Sequence, residues 1–169
     1  MTPGGVLTTL VSFSGANGYT PPARLAQGTN GAFYGATPYG GNLSFNADLG
    51  LGTAFKMTPA GALTTLFDFN GANGSYCVSG LVQGNDGNFY GTTEGGGARG
   101  GGTVFQMTPA GVLTTLVAFN GRDGYGPVAG LVQGSDGNFY GTTEYGGTNG
   151  FGTVYQVTTN GTLTTLVSF

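Results

Sequence analysis

The sequence predicts an all-β chain of β-propeller-type repeats, each a four-stranded antiparallel blade, and three observations carry that prediction. One segment, Gln-Gly-x-x-Gly-x-Phe-Tyr-Gly, recurs at residues 27–35, 83–91 and 133–141, and a Leu-Thr-Thr-Leu element starts at Leu7, Leu63, Leu113 and Leu163. A period near 50 with turn residues inside it is the mark of a repeat architecture. No stretch shows helical periodicity or helix caps. The strand-forming runs carry apolar residues on both alternating faces, so each sheet must lie between neighbours.

The third copy shows the elements most clearly. Residues 129–134 form a short first strand, A, ending at Ser135-Asp136-Gly137-Asn138. Asp-Gly between β-prone runs predicts a two-residue hairpin of primed type, because glycine accepts positive φ. Strand B follows at 139–143, a loose loop at 144–152 and strand C at 153–158. A tight turn, Thr159-Asn160-Gly161 here and Thr-Pro-Ala-Gly in the two preceding copies, leads to strand D at 162–169. In the second D strand, strict alternation puts Leu113, Thr115, Val117 and Phe119 on one face, with Leu116 and Ala118 on the other. Four-stranded sheets of about 50 residues packed face to face around an axis are propeller blades. The chain then divides into a surplus outer strand (1–13) and blades at 14–69, 70–119 and 120–169. Met1-Thr2-Pro3 repeats Met57-Thr58-Pro59, so the chain reads as a window on a longer array.

The strand order, with a Gly-Leu-opened first strand and an Asp-Gly-Asn turn before an aromatic strand, is similar to six-bladed propellers of the NHL and SMP-30 kind. Gly-Ser-Asp-Gly-Asn-Phe-Tyr-Gly-Thr-Thr, Gly-Thr-Val-Tyr-Gln-Val-Thr and Gly-Thr-Leu-Thr-Thr-Leu-Val-Ser-Phe more closely resemble the Gloeo/Verruco tandem repeat of bacterial proteins. The resemblance covers essentially the whole chain. It implies a surface or secreted repeat region, in some members followed by an export-sorting tail that these residues do not show, and it implies no activity. The first copy departs from the pattern: Ala36-Thr37-Pro38 replaces Thr92-Thr93-Glu94 and Thr142-Thr143-Glu144, and its B–C loop is longer.

Composition narrows the function. Only 7% of the 169 residues are charged, glycine supplies 37, and histidine and tryptophan are absent. Such a chain is kept soluble by Thr, Asn, Ser and exposed backbone, a composition more typical of extracellular proteins. Net charge is −3, and Arg24, Lys56, Arg99 and Arg122 are scattered, so no basic patch for nucleic acid forms. No apolar run reaches the length of a membrane-spanning helix, and no signal peptide is visible. Cys77 is the single cysteine; it stands where the other copies place Thr20 and Gly126, and reads as a small half-buried residue rather than a reactive thiol.

Closed propellers carry about 4–8 blades, so three blades leave two apolar faces open. The expectation is self-association: two chains giving six blades in a closed ring, or a filament if the ring does not close. The surplus strand would clasp an open edge.

In an antiparallel meander the A–B and C–D turns share one rim, and the B–C loops and D–A links share the other. The second rim is long, variable and aromatic, with Tyr19, Tyr76 and Tyr125 in its links. Loops on a rigid scaffold are where binding resides. The candidate ligand residues there are Tyr19, Tyr39, Asn42, Arg122, Asp123, Tyr125, Glu144, Tyr145 and Asn149. Tyrosines beside Asn, Asp and Arg suit a sugar, while the plainer reading has Tyr19 and Tyr125 pinning their own loops. Without histidine, and with one unpartnered cysteine, the usual acid–base and nucleophile pairs cannot be built, so no catalytic residue and no enzyme is expected. A glycosidase-like pair, Glu94 and Glu144, is the remaining catalytic alternative. Asp86 and Asp136 read as turn residues rather than calcium ligands. The glycine run 95–102 lacks the Lys-Ser/Thr ending of a phosphate loop, so neither metal nor cofactor is expected. The favoured reading is a structural, self-assembling interaction module, with a carbohydrate-binding module as runner-up.

Overall fold

The computed structural model describes residues 5–44 and 49–169; the start of the expected outer strand (1–4) and part of the first B–C loop (45–48) lie outside the described residues. Blade 1 is β1 (Ala26–Gln27), β2 (Phe33–Thr37), β3 (Thr53–Met57) and β4 (Leu63–Asp68). Blade 2 is β5 (Val82–Gln83), β6 (Phe89–Thr93), β7 (Thr103–Met107) and β8 (Leu113–Ala118). Blade 3 is β9 (Val132–Gln133), β10 (Phe139–Thr143), β11 (Thr153–Val157) and β12 (Leu163–Ser168). Each blade is an antiparallel sheet in sequence order, and the described residues contain no helix. The first strand of each blade is shorter than expected. It pairs with only two residues of its neighbour, and the residue just before it, Leu131 in blade 3, is buried in the core.

Three local details differ from the pattern read in the sequence. The A–B turn is not a primed two-residue hairpin. The Gly137 N–H donates to the Gly134 carbonyl at 3.0 Å, so Ser135 and Asp136 are the central residues and neither has positive φ. Gly137 follows at φ 81°, closing the hairpin as a glycine bulge. The D strands carry a β-bulge: Phe105 faces Thr115, whereas Val104 faces Val117. The extra residue turns Leu116 and Val117 to the face of Val104, away from Leu113 and Thr115. Finally, the left-handed position of each D–A link is Thr20 (φ 48°), Tyr76 (φ 60°) and Gly126 (φ 65°). Cys77 is therefore the counterpart of Pro21 and Pro127, one residue later than the sequence reading placed it.

The core lies between blades. Tyr34, Ala36 and Ala54 of blade 1 meet Cys77, Phe89, Phe105 and Met107 of blade 2. Tyr90, Val104 and Val117 of blade 2 meet Leu131, Phe139, Tyr155 and Val157 of blade 3. Blade 2 is thus apolar on both sides and buried on both, which is why its sequence shows no polar face. Cys77 is fully buried, donates weakly to the Ser79 carbonyl at 3.7 Å, and burial pushes its thiol up to about 12.

Each link is tied down by a buried pair of threonine hydroxyls, Thr37–Thr53, Thr93–Thr103 and Thr143–Thr153. A Cβ on Gly74 (φ 124°) would meet the Thr93 hydroxyl at 2.5 Å, so the link approaches this pair only as glycine.

Residues 5–13 lie in no strand. They nevertheless occupy an outer strand's place against blade 1. A Cβ on Gly61 would meet the Leu10 carbonyl oxygen at 2.7 Å, as one on Gly111 would meet that of Leu66 at 2.9 Å and one on Gly161 that of Leu116 at 2.8 Å. Phe13 meets Phe55 edge-on at 5.2 Å, as Phe69 meets Phe105 at 5.5 Å and Phe119 meets Tyr155 at 5.1 Å.

Candidate functional site

The long rim is built by joining each D–A link to the B–C loop of its own blade. Tyr125 and Tyr145 exchange backbone hydrogen bonds at 2.8 and 3.0 Å, Ser75 pairs with Gly95, and Tyr19 with Tyr39. The tyrosine backbones pin the loops, which leaves the side chains facing outward: Tyr19, Tyr125 and Tyr145 are each about half exposed.

Between blades 2 and 3, Tyr125 and Tyr145 border a groove of about 310 Å³, lined also by Tyr76, Glu94 and Glu144 with small residues as its floor. The Glu144 carboxylate beside the Tyr145 hydroxyl raises that tyrosine's pKa. Tyr76 reaches the groove from its left-handed backbone position and also meets Tyr39 edge-on at 5.6 Å.

The nine candidate residues do not form one site. Tyr125, Glu144 and Tyr145 converge on this groove. Tyr19 lines a separate hollow of about 460 Å³ beside Leu43 and Leu49 on blade 1, and Tyr39 lines neither hollow but meets Tyr76 edge-on. Asn42 and Asp123 hold their own loops: Asn42 Oδ1 accepts from the Ser44 N–H at 2.9 Å, and Asp123 Oδ1 accepts from the Asn120 N–H at 2.9 Å. Arg122 and Asn149 are exposed and line neither hollow. Tyr76 and Glu94 are not among the nine candidate ligand residues, although the sequence signals both: Tyr76 as an aromatic of the D–A links and Glu94 as the carboxylate equivalent to Glu144.

On the opposite rim, the Tyr90 hydroxyl donates to Asp86 at 2.8 Å and accepts from the Gln106 amide at 2.7 Å. Tyr140, Asp136 and Gln156 repeat the arrangement. Burial works to raise the Asp86 carboxyl, but the hydrogen bonds from Tyr90 and Asn88 outweigh it and hold it below its ordinary value. Asp136 is lowered in the same way by Tyr140 and Asn138. Among the described residues no cluster of acidic or cysteine side chains could hold a metal ion.

The two end faces differ from the covered ones. Phe89 and Phe139 are fully buried, each under a tyrosine of the preceding blade, whereas their counterpart Phe33 is partly exposed. At the other end Tyr140 and Val154 are partly exposed, and Val132, Leu166 and Val167 are 64%, 49% and 44% exposed.

Comparison with solved structures gives virginiamycin B lyase from Staphylococcus aureus at TM-score 0.53 and 17% identity, covering 87% of this chain and 41% of that one. A streptogramin B lyase matches at TM-score 0.51 and 19% identity (85% and 39% covered), and a gluconolactonase from Xanthomonas campestris at 0.52 and 15% (83% and 44% covered). At such identity the likeness shows the fold, a β-propeller, and the chain spans about two fifths of these proteins' length. No curated protein sequence matches it. No helix among the described residues is long and apolar enough to cross a membrane. The profile of the Gloeobacter/Verrucomicrobia repeat matches residues 1–169, and the chain belongs to that family.

Proposed function

We propose that this chain is a non-enzymatic structural and interaction module of an extracellular or surface repeat protein, and that it joins copies of itself through its two end faces. The observation that carries this reading is the unequal burial of equivalent residues. What Tyr90 and Phe139 make inside the chain, a stack at 3.9 Å, Tyr140 and Phe33 are each equipped to make but do not make among the described residues. The Asn85 N–H donates to Gln133 Oε1 at 3.1 Å and the Thr29 N–H to Gln83 Oε1 at 3.0 Å, while Ser135 and Gln27, the next members of that series, are exposed. A second copy placed by the same repeat step stacks the partner's Phe33 on Tyr140 and brings the partner's Gln27 to Ser135. Apolar burial at about 25 cal/mol per Å² drives the joint, and heterologous contacts of this kind close into rings or run on as filaments.

The test is complementation. Phe33→Asp blocks one face and Tyr140→Asp the other. Neither variant should self-associate, and an equimolar mixture should form a one-to-one dimer by sedimentation velocity. A mixture that stays monomeric while the parent chain associates would overturn the head-to-tail joint.

A second reading is carbohydrate binding at the groove of Tyr76, Tyr125 and Tyr145, where rings can cover sugar C–H surface and Glu94 and Glu144 can accept from hydroxyls. A glycan array with Tyr125→Ala and Tyr145→Ala controls tests it, and uniform blanks would end it. The activities of the structurally similar lyases and lactonase are not carried over. Turnover of a polysaccharide abolished by Glu144→Gln would replace both readings with an enzymatic one.

A further inference from the structure

We infer that residues 5–13 are a removable cap on the blade-1 docking face, holding the lane that β12 of a second copy must enter. The inference rests on the head-to-tail reading above and adds a gate to it. Three observations carry it. The segment Gly-Val-Leu-Thr-Thr-Leu-Val-Ser-Phe (5–13) matches 161–169 at every position except Val6, which is threonine at 162. It lies against blade 1 as β4 lies against blade 2 and β8 against blade 3, with Leu10 over Gly61 and Phe13 against Phe55. Its Leu7 is 77% and its Leu10 50% exposed, and it borders a groove of about 360 Å³ over Leu25, Phe55, Met57 and Leu63.

When the blade-3 face of one copy meets the blade-1 face of the next by the repeat step, β12 and the partner's segment 5–13 claim the same place. β12 is paired along its length with β11, whereas 5–13 belongs to no sheet. The segment therefore gives way. Its side-chain contacts are replaced in kind, since Leu166 and Phe169 bring to the lane what Leu10 and Phe13 leave. The stack on Tyr140 and the Gln27 hydrogen bond come as net gains. Association is thus weakened by the fraction of chains whose lane is closed.

The experiment compares the parent chain with its double variant Leu10→Asp/Phe13→Ser, which loosens the cap and leaves β12 intact. Molar mass is followed against concentration by sedimentation equilibrium, with circular dichroism to confirm the β fold. The dissociation constant should fall at least about tenfold in the variant, as expected if nine chains in ten are capped. A synthetic peptide of sequence 5–13 added in excess should return the variant to monomer. Association equal to or weaker than the parent's in the folded variant overturns the cap while leaving the head-to-tail reading standing. If the variant does not fold, the peptide acting on the parent chain decides: a rise or no change in the parent's mass overturns the cap, and a fall supports it. Monomers throughout, in parent and folded variant alike, overturn both.

Discussion

The ring of Tyr90 stacks on that of Phe139 with centroids 3.9 Å apart and planes 27° from parallel, and Tyr34 stacks on Phe89 at 3.9 Å and 26°. Two stacks made by residues 55 and 49 positions apart in sequence, alike to within a degree, mean that successive blades are related by one fixed step. The interface between blades is the unit that repeats, as much as the blade itself.

From this follows a contrast between two chemically identical tyrosines. Tyr90→Ala opens a cavity in a closed inter-blade core and should cost about 3–5 kcal/mol in urea unfolding of the monomer. Tyr140→Ala, at the open face, should move the monomer's midpoint far less, although it abolishes association. Equal losses in the two would mean that the end face is not the counterpart of the buried one.

Tyr155 offers a gain. Its hydroxyl is buried with no hydrogen-bond partner among the described residues, and burial pushes its pKa up. Phe55 and Phe105 fill the same position in the other blades without that oxygen. An unsatisfied buried hydroxyl costs about 1–3 kcal/mol, so Tyr155→Phe should stabilise the fold by about 1 kcal/mol or more. Differential scanning calorimetry checks this, and a lowered melting temperature would refute it.

Two opposite pKa shifts meet in the Asp86–Tyr90 pair. Asp86 is held low in the folded chain, so its contribution is present at neutral pH and is lost as pH falls through the aspartate range, around 4 and below. Tyr90 is raised to about 12, chiefly by burial and further by Asp86. Its contribution is present below the ordinary tyrosine value of about 10 and is lost as pH climbs toward its folded value. Stability should therefore form a plateau between about pH 4 and 10, falling on both sides. Asp86→Asn should flatten the acid limb, read from urea midpoints across pH. An acid limb unchanged in that variant would assign it to other groups.

Cys77 should behave as a reporter of unfolding. Its thiol is wholly buried in the core between blades 1 and 2 and is raised to about 12. A thiol-labelling reagent at pH 8 should react only at the rate of global unfolding. Fast labelling of the native chain would show that the two blades part locally.

Much of the fold is legible in the residues, because propeller blades announce themselves through periodicity. Strand B of the third copy, 139–143, and strand C from Thr153 can be read from alternation and turn chemistry alone. What cannot be read is set by contacts. The bulge that turns Val117 toward Val104 answers to pairing across the sheet, which strict alternation does not anticipate. The turn at Ser135-Asp136 depends on a backbone hydrogen bond to Gly134 that an Asp-Gly signal does not distinguish from a primed hairpin. The candidate site is less legible still. Asp123 looks like a free ligand in the sequence, yet its carboxylate is engaged by the Asn120 N–H. Tyr76 reaches the groove only because its backbone takes a left-handed turn that its counterparts Thr20 and Gly126 share. Residues 5–13 read as a strand and hold a strand's place against blade 1, yet they form no strand.

The account depends most on the open faces acting as joints rather than as inert surface. Light scattering of the parent chain over a wide concentration range tests this directly. The account predicts a weight-average mass that starts at 16.9 kDa and climbs as concentration rises, with the climb abolished by Tyr140→Ala. A folded chain that holds 16.9 kDa throughout, or a climb that ignores Tyr140, would contradict it.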